Sequence, residues 1–420
     1  MKILWVTSTL VGAAAAQFGA ATGGAGGWIE QNLELLRDHQ VVIVCSGRNP
    51  ETICKKVDNL TYYVIPGGDV CTRFRASNKE AILAAREILK NETPDIIHIW
   101  GTETELGLLF ARESGNTPKV VYIQGVMSAI HAHYYDSVSK TEVLRNTTIR
   151  DIYKKRTYFH LEKDLDRKDR VEKEILNRCR NFISDNNWCE AACKAIAPDS
   201  RFFRQNLPID SVFASTQWTG SRQHTLFCAS QYATFKGFPV LLRALRLVKK
   251  EFPDVMLEIP GGWSSEGCNM PKYIDGYSKM INQLIETLGL KENIRNLGTI
   301  KRNEMAQHLA ETSVFVQASS VENHSSTLRE ALTVGVPSVA SDVGCAAEYI
   351  IHGENGFLVR DDEPETMAYY ICSLFRDPQL CEQISQKARS TVQKKYQKNE
   401  SYSLEEIYSM ILRGNQDVEV

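Results

Sequence analysis

Two glutamates eight positions apart, Glu322 and Glu330, bracket a run of small hydroxyl residues, Ser325-Ser326-Thr327. An apolar segment, Ser313–Gln317, leads in and reads as a buried strand; the helical pattern starts near Thr327. A strand that ends in a polar turn and feeds a helix presents backbone N–H groups at the helix N-terminus, which favours an anion such as phosphate. Carboxylates on either side accept hydrogen bonds from paired hydroxyls, so the constellation suits a sugar nucleotide. The competing reading is structural. Thr327-Leu328-Arg329-Glu330 also has the spacing of a capping box, in which the glutamate bonds back to the amide of the cap residue.

The frame around these residues narrows the choice. After Glu330-Ala331 come Gly335-Val336-Pro337, the apolar run Ser338–Ser341, Asp342-Val343-Gly344, and later Asn355-Gly356-Phe357-Leu358-Val359. This pattern resembles the retaining glycosyltransferases of family 4, over residues 224–376 above all. The resemblance implies an α/β chain of GT-B architecture, two Rossmann-like domains facing across a cleft. It implies that Glu322 contacts the transferred sugar, that Glu330 binds the ribose hydroxyls, and that amides of Ser325, Ser326 and Thr327 meet the diphosphate.

Further positions follow from the same resemblance. Ser230-Gln231-Tyr232-Ala233-Thr234-Phe235-Lys236-Gly237 matches the turn where the family places an arginine and a lysine on the diphosphate. Lys236 is the lysine, and Ser230 or Gln231 stands near the place of the arginine. Gly261, in Pro260-Gly261-Gly262, matches the turn under the nucleotide, whose base is expected near Ile300. Gln124, after the strand Lys119–Ile123, stands where many relatives carry a histidine; an amide bonds a hydroxyl but cannot take its proton. His131 and His133 follow in the loop. Near the N-terminus the strand Lys2–Val6 leads into a small-residue loop, Gly23-Gly24-Ala25-Gly26-Gly27, and a helix from Trp28. Glycine there lets the backbone approach a ligand, and Gly26 and Gly27 are expected at the acceptor and phosphate side. The loop is not a dinucleotide fingerprint, since no acidic residue follows the second strand, Val41–Cys45, at the ribose distance.

The elements that must position these residues alternate along the chain. Short apolar runs such as Tyr62–Ile65, Asp95–Trp100, Arg180–Ser184, His224–Cys228, Val255–Ile259 and Ile294–Leu297 are separated by helical patterns. Continuous apolar strands between amphipathic helices indicate parallel sheets covered on both faces. His98 lies within one of those strands and is expected to fill the sheet. The segment Asn206–Ser221 has little periodicity and reads as a crossover. The expected division is 1–208 for an N-terminal acceptor domain, 209–398 for a donor domain, and 399–420 for a helix returning to the first.

Bulk composition excludes several classes. The chain has 420 residues, 43% apolar and 24% charged, with a net charge of −2, which gives no case for nucleic-acid binding. Eleven cysteines are scattered without a CxxC pair, as in a reduced, cytoplasmic protein with neither disulfides nor a zinc site. Ile3-Leu4-Trp5-Val6 reads as a first strand rather than a leader. From Arg150 to Arg180 there are eleven Lys/Arg against seven Asp/Glu, interleaved with apolar residues. That composition suits either a solvated face or peripheral contact with the inner face of a membrane or a lipid-linked acceptor. With no convincing Asp-x-Asp motif, neither a metal nor a cofactor is expected beyond the co-substrate, a nucleoside diphosphate sugar.

The function implied is transfer of a hexose from that donor to a glycan or lipid-linked acceptor, in bacterial surface polysaccharide synthesis. A non-catalytic sugar-nucleotide or glycan-binding protein, an epimerase or a phosphorylase on the same architecture are the alternatives.

Overall fold

The computed structural model describes residues 1–11, 27–69, 74–229, 233–261, 275–397 and 401–416. These form two compact units. The first comprises residues 1–128, 165–208 and 399–420; the second comprises 129–164 and 209–398. Residues 129–164 therefore group with the second unit, whereas the sequence reading assigns them to the first domain. Specific bonds explain this. Thr234 and Ser137 each donate from the hydroxyl, to the carbonyls of Tyr134 and Thr234, and the backbone N–H of Gly276 donates to Asp151 Oδ2 at 3.0 Å.

Among its described residues the first unit is built on eight strands: β1 Lys2–Val6, β2 Gln40–Gly47, β3 Ile53–Val57, β4 Leu60–Pro66, β5 Ile96–Trp100, β6 Lys119–Tyr122, β7 Asn181–Ser184 and β8 Arg201–Arg204. Their order in the sheet is β3-β4-β2-β1-β5-β6-β7-β8. Every pairing is parallel except β3 with β4. Strand β3 has no counterpart in the sequence reading. It is an edge strand, Ile-Cys-Lys-Lys-Val, with nearly every residue exposed, so it carries no apolar period to detect. Strands β1, β5 and β6 are near-continuously buried because helices cover both faces. Asn78 caps the helix Lys79–Glu92, its Oδ1 accepting from Glu80 N at 3.0 Å and Ala81 N at 3.2 Å.

The helix Leu404–Gln416 belongs to this first core. Leu404, Ile407, Tyr408 and Ile411 pack with Ile3, Trp5 and Trp100. Trp5 Nε1 donates to Tyr408 Oη at 3.1 Å, and the tyrosine hydroxyl is hydrogen-bonded to His98 Nδ1 at 2.6 Å. His98 is fully buried and stacks on Trp100, so it fills the sheet.

Among its described residues the second unit holds six strands: β9 Thr225–Phe227, β10 Met256–Pro260, β11 Ile294–Gly298, β12 Val314–Gln317, β13 Ser338–Ser341 and β14 Phe357–Val359. All pairings are parallel, in the order β11-β10-β9-β12-β13-β14. The order reverses between β9 and β12. Ligands of doubly wound sheets bind outside the carboxyl ends of the strands at such a reversal. The segment expected to be irregular includes a short helix, Ser211–Ser215, capped by Asp210 through Val212 N at 3.1 Å.

Candidate functional site

The two strands flanking the reversal deliver the central pair. Strand β9 runs into residues 228–229 and then, beyond the undescribed 230–232, into a single turn of 3₁₀ helix, Thr234–Lys236. Strand β12 runs through Ala318-Ser319-Ser320-Val321 to Glu322. Because β9 and β12 are neighbours, Lys236 Nζ reaches Glu322 Oε1 at 2.6 Å. Ser319 Oγ donates to the same oxygen at 2.7 Å, and Ser320 N donates to Phe235 O at 2.8 Å. The Glu322 side chain is 9% exposed and that of Lys236 27%. The carboxylate is thus held from inside, and the ammonium keeps a face toward solvent with N–H groups to spare.

Two glycines permit this closeness. A Cβ on Gly237 would lie 1.6 Å from Ala318 O, and φ there is +66°. A Cβ on Gly344 would lie 1.6 Å from Glu322 O, at φ +56°. The loop after β13 therefore lies against the backbone of Glu322. No side chain fits, and only glycine adopts that backbone cheaply.

The helix Ser326–Val334 begins beside this pair. Its N-cap is Ser325, in the left-handed region at φ 41° and ψ 51°, and the Ser325 side chain makes no cap bond. Gln317 Nε2 donates to Ser325 Oγ at 3.3 Å. Ser326 is exposed and Thr327 partly so. First-turn amides have no acceptor inside their own helix, which leaves those of Ser326 and Thr327 for an anion. The capping-box alternative is not what the helix uses, because Thr327 is its second residue rather than its cap.

Glu330 sits one turn further on, mostly buried. Arg302 NH1 lies 3.7 Å from its Oε1, and Arg302 Nε lies 3.6 Å from Asp210. Burial pushes the Glu330 carboxyl up to about 7, against the pull of Arg302 and Arg329. Gly261, at φ +118°, ends β10, and its N–H donates to Gly298 O. Ile300 packs against the core that holds Phe315 and Leu328. The structure thus brings Lys236, Glu322, Ser325, Ser326 and Thr327 together. Ser230 and Gly26 lie outside the described residues, as does Gly262. Gly27 opens the helix Gly27–Glu34 in the first unit.

Gln124 belongs to the first unit, partly exposed past the end of β6. The loop that follows it is fastened by Glu172, which accepts from Met127 N at 3.0 Å, Ser128 N at 3.2 Å and Thr102 Oγ1 at 2.6 Å. Burial raises the Glu172 carboxyl and those three donors oppose it. Sequence reasoning missed Glu172, since it lies within the charged segment read as a solvated face. His133 is exposed and bound to Asp136 at 2.5 Å. Among the described residues no group of His, Cys, Asp and Glu could hold a metal ion, and no helix is long and apolar enough to cross a membrane.

Known proteins resemble parts of this chain in sequence and the whole of it in fold. Residues 217–391 match the family model Glycosyl transferases group 1. An uncharacterized glycosyltransferase of Haemophilus influenzae is 24% identical over 184 residues, 44% of this chain and 46% of the relative. N-acetyl-alpha-D-glucosaminyl L-malate synthase of Bacillus anthracis is 28% identical over 138 residues, 33% of this chain and 36% of the relative. The chain thus covers less than half the length of these curated relatives. Among solved structures, sucrose-phosphate synthase from Thermosynechococcus elongatus superposes with a TM-score of 0.67 at 16% identity, covering 99% of this chain and 98% of that one. Anabaena HepE in complex with UDP-glucose gives 0.65 at 16% identity, covering 99% and 100%. These likenesses show the fold: two Rossmann-like α/β domains of GT-B architecture.

Proposed function

We infer that the chain transfers a hexose from a nucleoside diphosphate donor to a glycan or lipid-linked acceptor, with retention at the anomeric carbon, as in family 4. One observation carries this reading: Lys236 and Glu322 meet at the reversal of the second sheet, beside a helix start whose cap side chain is disengaged. An approaching diphosphate meets a carboxylate already neutralised by the ammonium, plus the partial positive charge of the helix N-terminus. Lys236 turns its remaining N–H groups to a phosphate oxygen, and amides of Ser325, Ser326 and Thr327 meet the other phosphate. Glu330 accepts from the ribose hydroxyls, Gly261 and Ile300 border the nucleotide, and Glu322 contacts the sugar.

In the step itself the bond from the anomeric carbon to the leaving oxygen breaks, and its electron pair goes to the nucleoside diphosphate. The acceptor hydroxyl bonds the same carbon from the same face, and its proton passes to the departing phosphate. Preorganised donors meet the growing charge, which is an electrostatic route that calls on no metal ion. Gln124 orients a hydroxyl without taking a proton. HepE, which binds UDP-glucose in its crystal, suggests a uridine nucleotide. The location that fits such a donor is the cytoplasm, and the pathway that fits the family is bacterial surface polysaccharide synthesis.

A second reading, donor binding without turnover, draws on one feature. Gln124 and Ser230-Gln231 stand where the family carries a histidine and an arginine. A thermal-shift screen across nucleoside diphosphate sugars, followed by product analysis with candidate acceptors, separates the two. The inference predicts that a donor raises the melting temperature and is consumed. Stabilisation without turnover of any donor supports the binding reading, and no stabilisation by any donor overturns both.

A further inference from the structure

The helix Ile149–Tyr153 in the second unit is turned inside out. Its carboxylate, Asp151, is buried, and Oδ2 accepts from Thr148 N at 2.8 Å, Thr148 Oγ1 at 2.6 Å and Gly276 N at 3.0 Å. Its apolar side chains face the other way: Ile149 is 87% exposed, Ile152 60% and Tyr153 87%. Positions i, i+3 and i+4 share one helix face, so the three form a single ridge. Leu144, on the preceding helix Lys140–Asn146, is 58% exposed. Single exposed apolar residues are ordinary; a cluster marks a contact surface.

The charges beside this ridge are of one sign. Arg145, Arg150, Lys154, Lys155 and Arg156 are all exposed. None of them is in an ion pair among the described residues. The two carboxylates in the segment, Glu142 and Asp151, are both consumed as capping boxes. Protein interfaces are poor in lysine at their cores. A short apolar ridge flanked by free Lys and Arg suits the boundary of an anionic bilayer, where the apolar side chains enter and the cations meet headgroups. We propose that residues 144–156 form a docking surface for an anionic lipid membrane. This goes beyond the donor-site reading and does not rest on it, because the surface is defined without reference to Lys236 or Glu322.

The experiment is co-sedimentation of the full chain with phosphatidylcholine vesicles, with and without phosphatidylglycerol. Wild type is expected to pellet only with the anionic vesicles, and less so as salt is raised. Replacing Lys154, Lys155 and Arg156 together by Ser is expected to lower partitioning by ~100-fold. The pair Ile149→Ser and Tyr153→Ser is expected to abolish it even at low salt. All five side chains are exposed, so circular dichroism melts should match wild type, and donor-induced thermal shifts should be unchanged. Failure of wild type to bind anionic vesicles, or equal binding by both variants, overturns the proposal. Light scattering that shows a wild-type dimer dissociated by Ile149→Ser and Tyr153→Ser, with no vesicle binding, assigns the ridge to a second copy and also overturns it.

Discussion

Lys236 Nζ and Glu322 Oε1, 86 positions apart in sequence, lie 2.6 Å from each other. Each side chain follows the carboxyl end of its own strand, and the two strands are hydrogen-bonded neighbours across the reversal of the sheet. The pair is an ion pair in the resting protein and, in our reading, a divided one on donor binding. The ammonium takes the diphosphate and the carboxylate takes the sugar.

Removing either partner therefore has two effects that can be separated. Lys236→Ala leaves Glu322, 9% exposed, with only Ser319 as a side-chain partner among the described residues, and should cost ~1–3 kcal/mol of stability. Transfer should fall by ~10²–10³-fold. Combining it with Glu322→Gln should restore much of the stability, because the unpaired charge is gone, while transfer stays lost. Denaturant melts and initial rates on the three variants test this; recovery of rate along with stability would rule out a role in chemistry.

Glu330 should make donor binding depend on pH near neutrality. Its native carboxyl is raised from 4.5 to about 7. For an acid, a raised native pKa means that stability falls as pH climbs from about 4.5 and levels off above about 7. In the proposed role, ionised Glu330 accepts hydrogen bonds from ribose hydroxyls and the protonated form does so less well, so donor affinity should rise between about pH 6 and pH 8. Glu330→Gln should be the more stable protein above about pH 7, by up to ~3 kcal/mol, with weaker donor binding that no longer varies with pH. Calorimetric titration at several pH values, alongside melts, checks both signs.

Gly344→Ala should damage the site from behind. The added methyl would overlap Glu322 O, at a backbone φ of +56°. Moving the loop or the Glu322 backbone is the only relief, so we expect a stability loss of ~1–3 kcal/mol and a rise in the Michaelis constant for the donor of at least ~10-fold. Gly353→Ala is the control. It too has a positive φ, of +77°, but opens into empty space, and it should cost stability alone.

In the first unit, Tyr408→Phe tests how the helix Leu404–Gln416 is held. The hydroxyl serves Trp5 and His98 at once, and all three side chains are buried. Its loss should cost ~1–3 kcal/mol by leaving two buried polar groups unpaired. Burial holds His98 down at about 3. With a native pKa below its unfolded value, stability should decline as pH falls below about 6.5, and equilibrium unfolding across pH 4 to 7 should show it in wild type and variant alike.

The sequence by itself determined the periodic parts. Buried parallel strands announce themselves as apolar runs, and the helices between them as amphipathic repeats. Glu322, Lys236 and Ser325–Thr327 were named from spacing and resemblance, because a strand-turn-helix segment carries its chemistry in consecutive residues. What spacing could not supply was which segments face each other. The bond between Lys236 and Glu322, the pressing of Gly344 against Glu322, and the burial that lifts Glu330 all join positions distant in the chain. So does the bond from Asp151 to Gly276, which ties residues 129–164 to the second unit and turns the ridge of Ile149 and Tyr153 outward. A one-dimensional pattern fixes which face of an element is apolar; only strand order and packing decide whether that face meets a core or is left in the open.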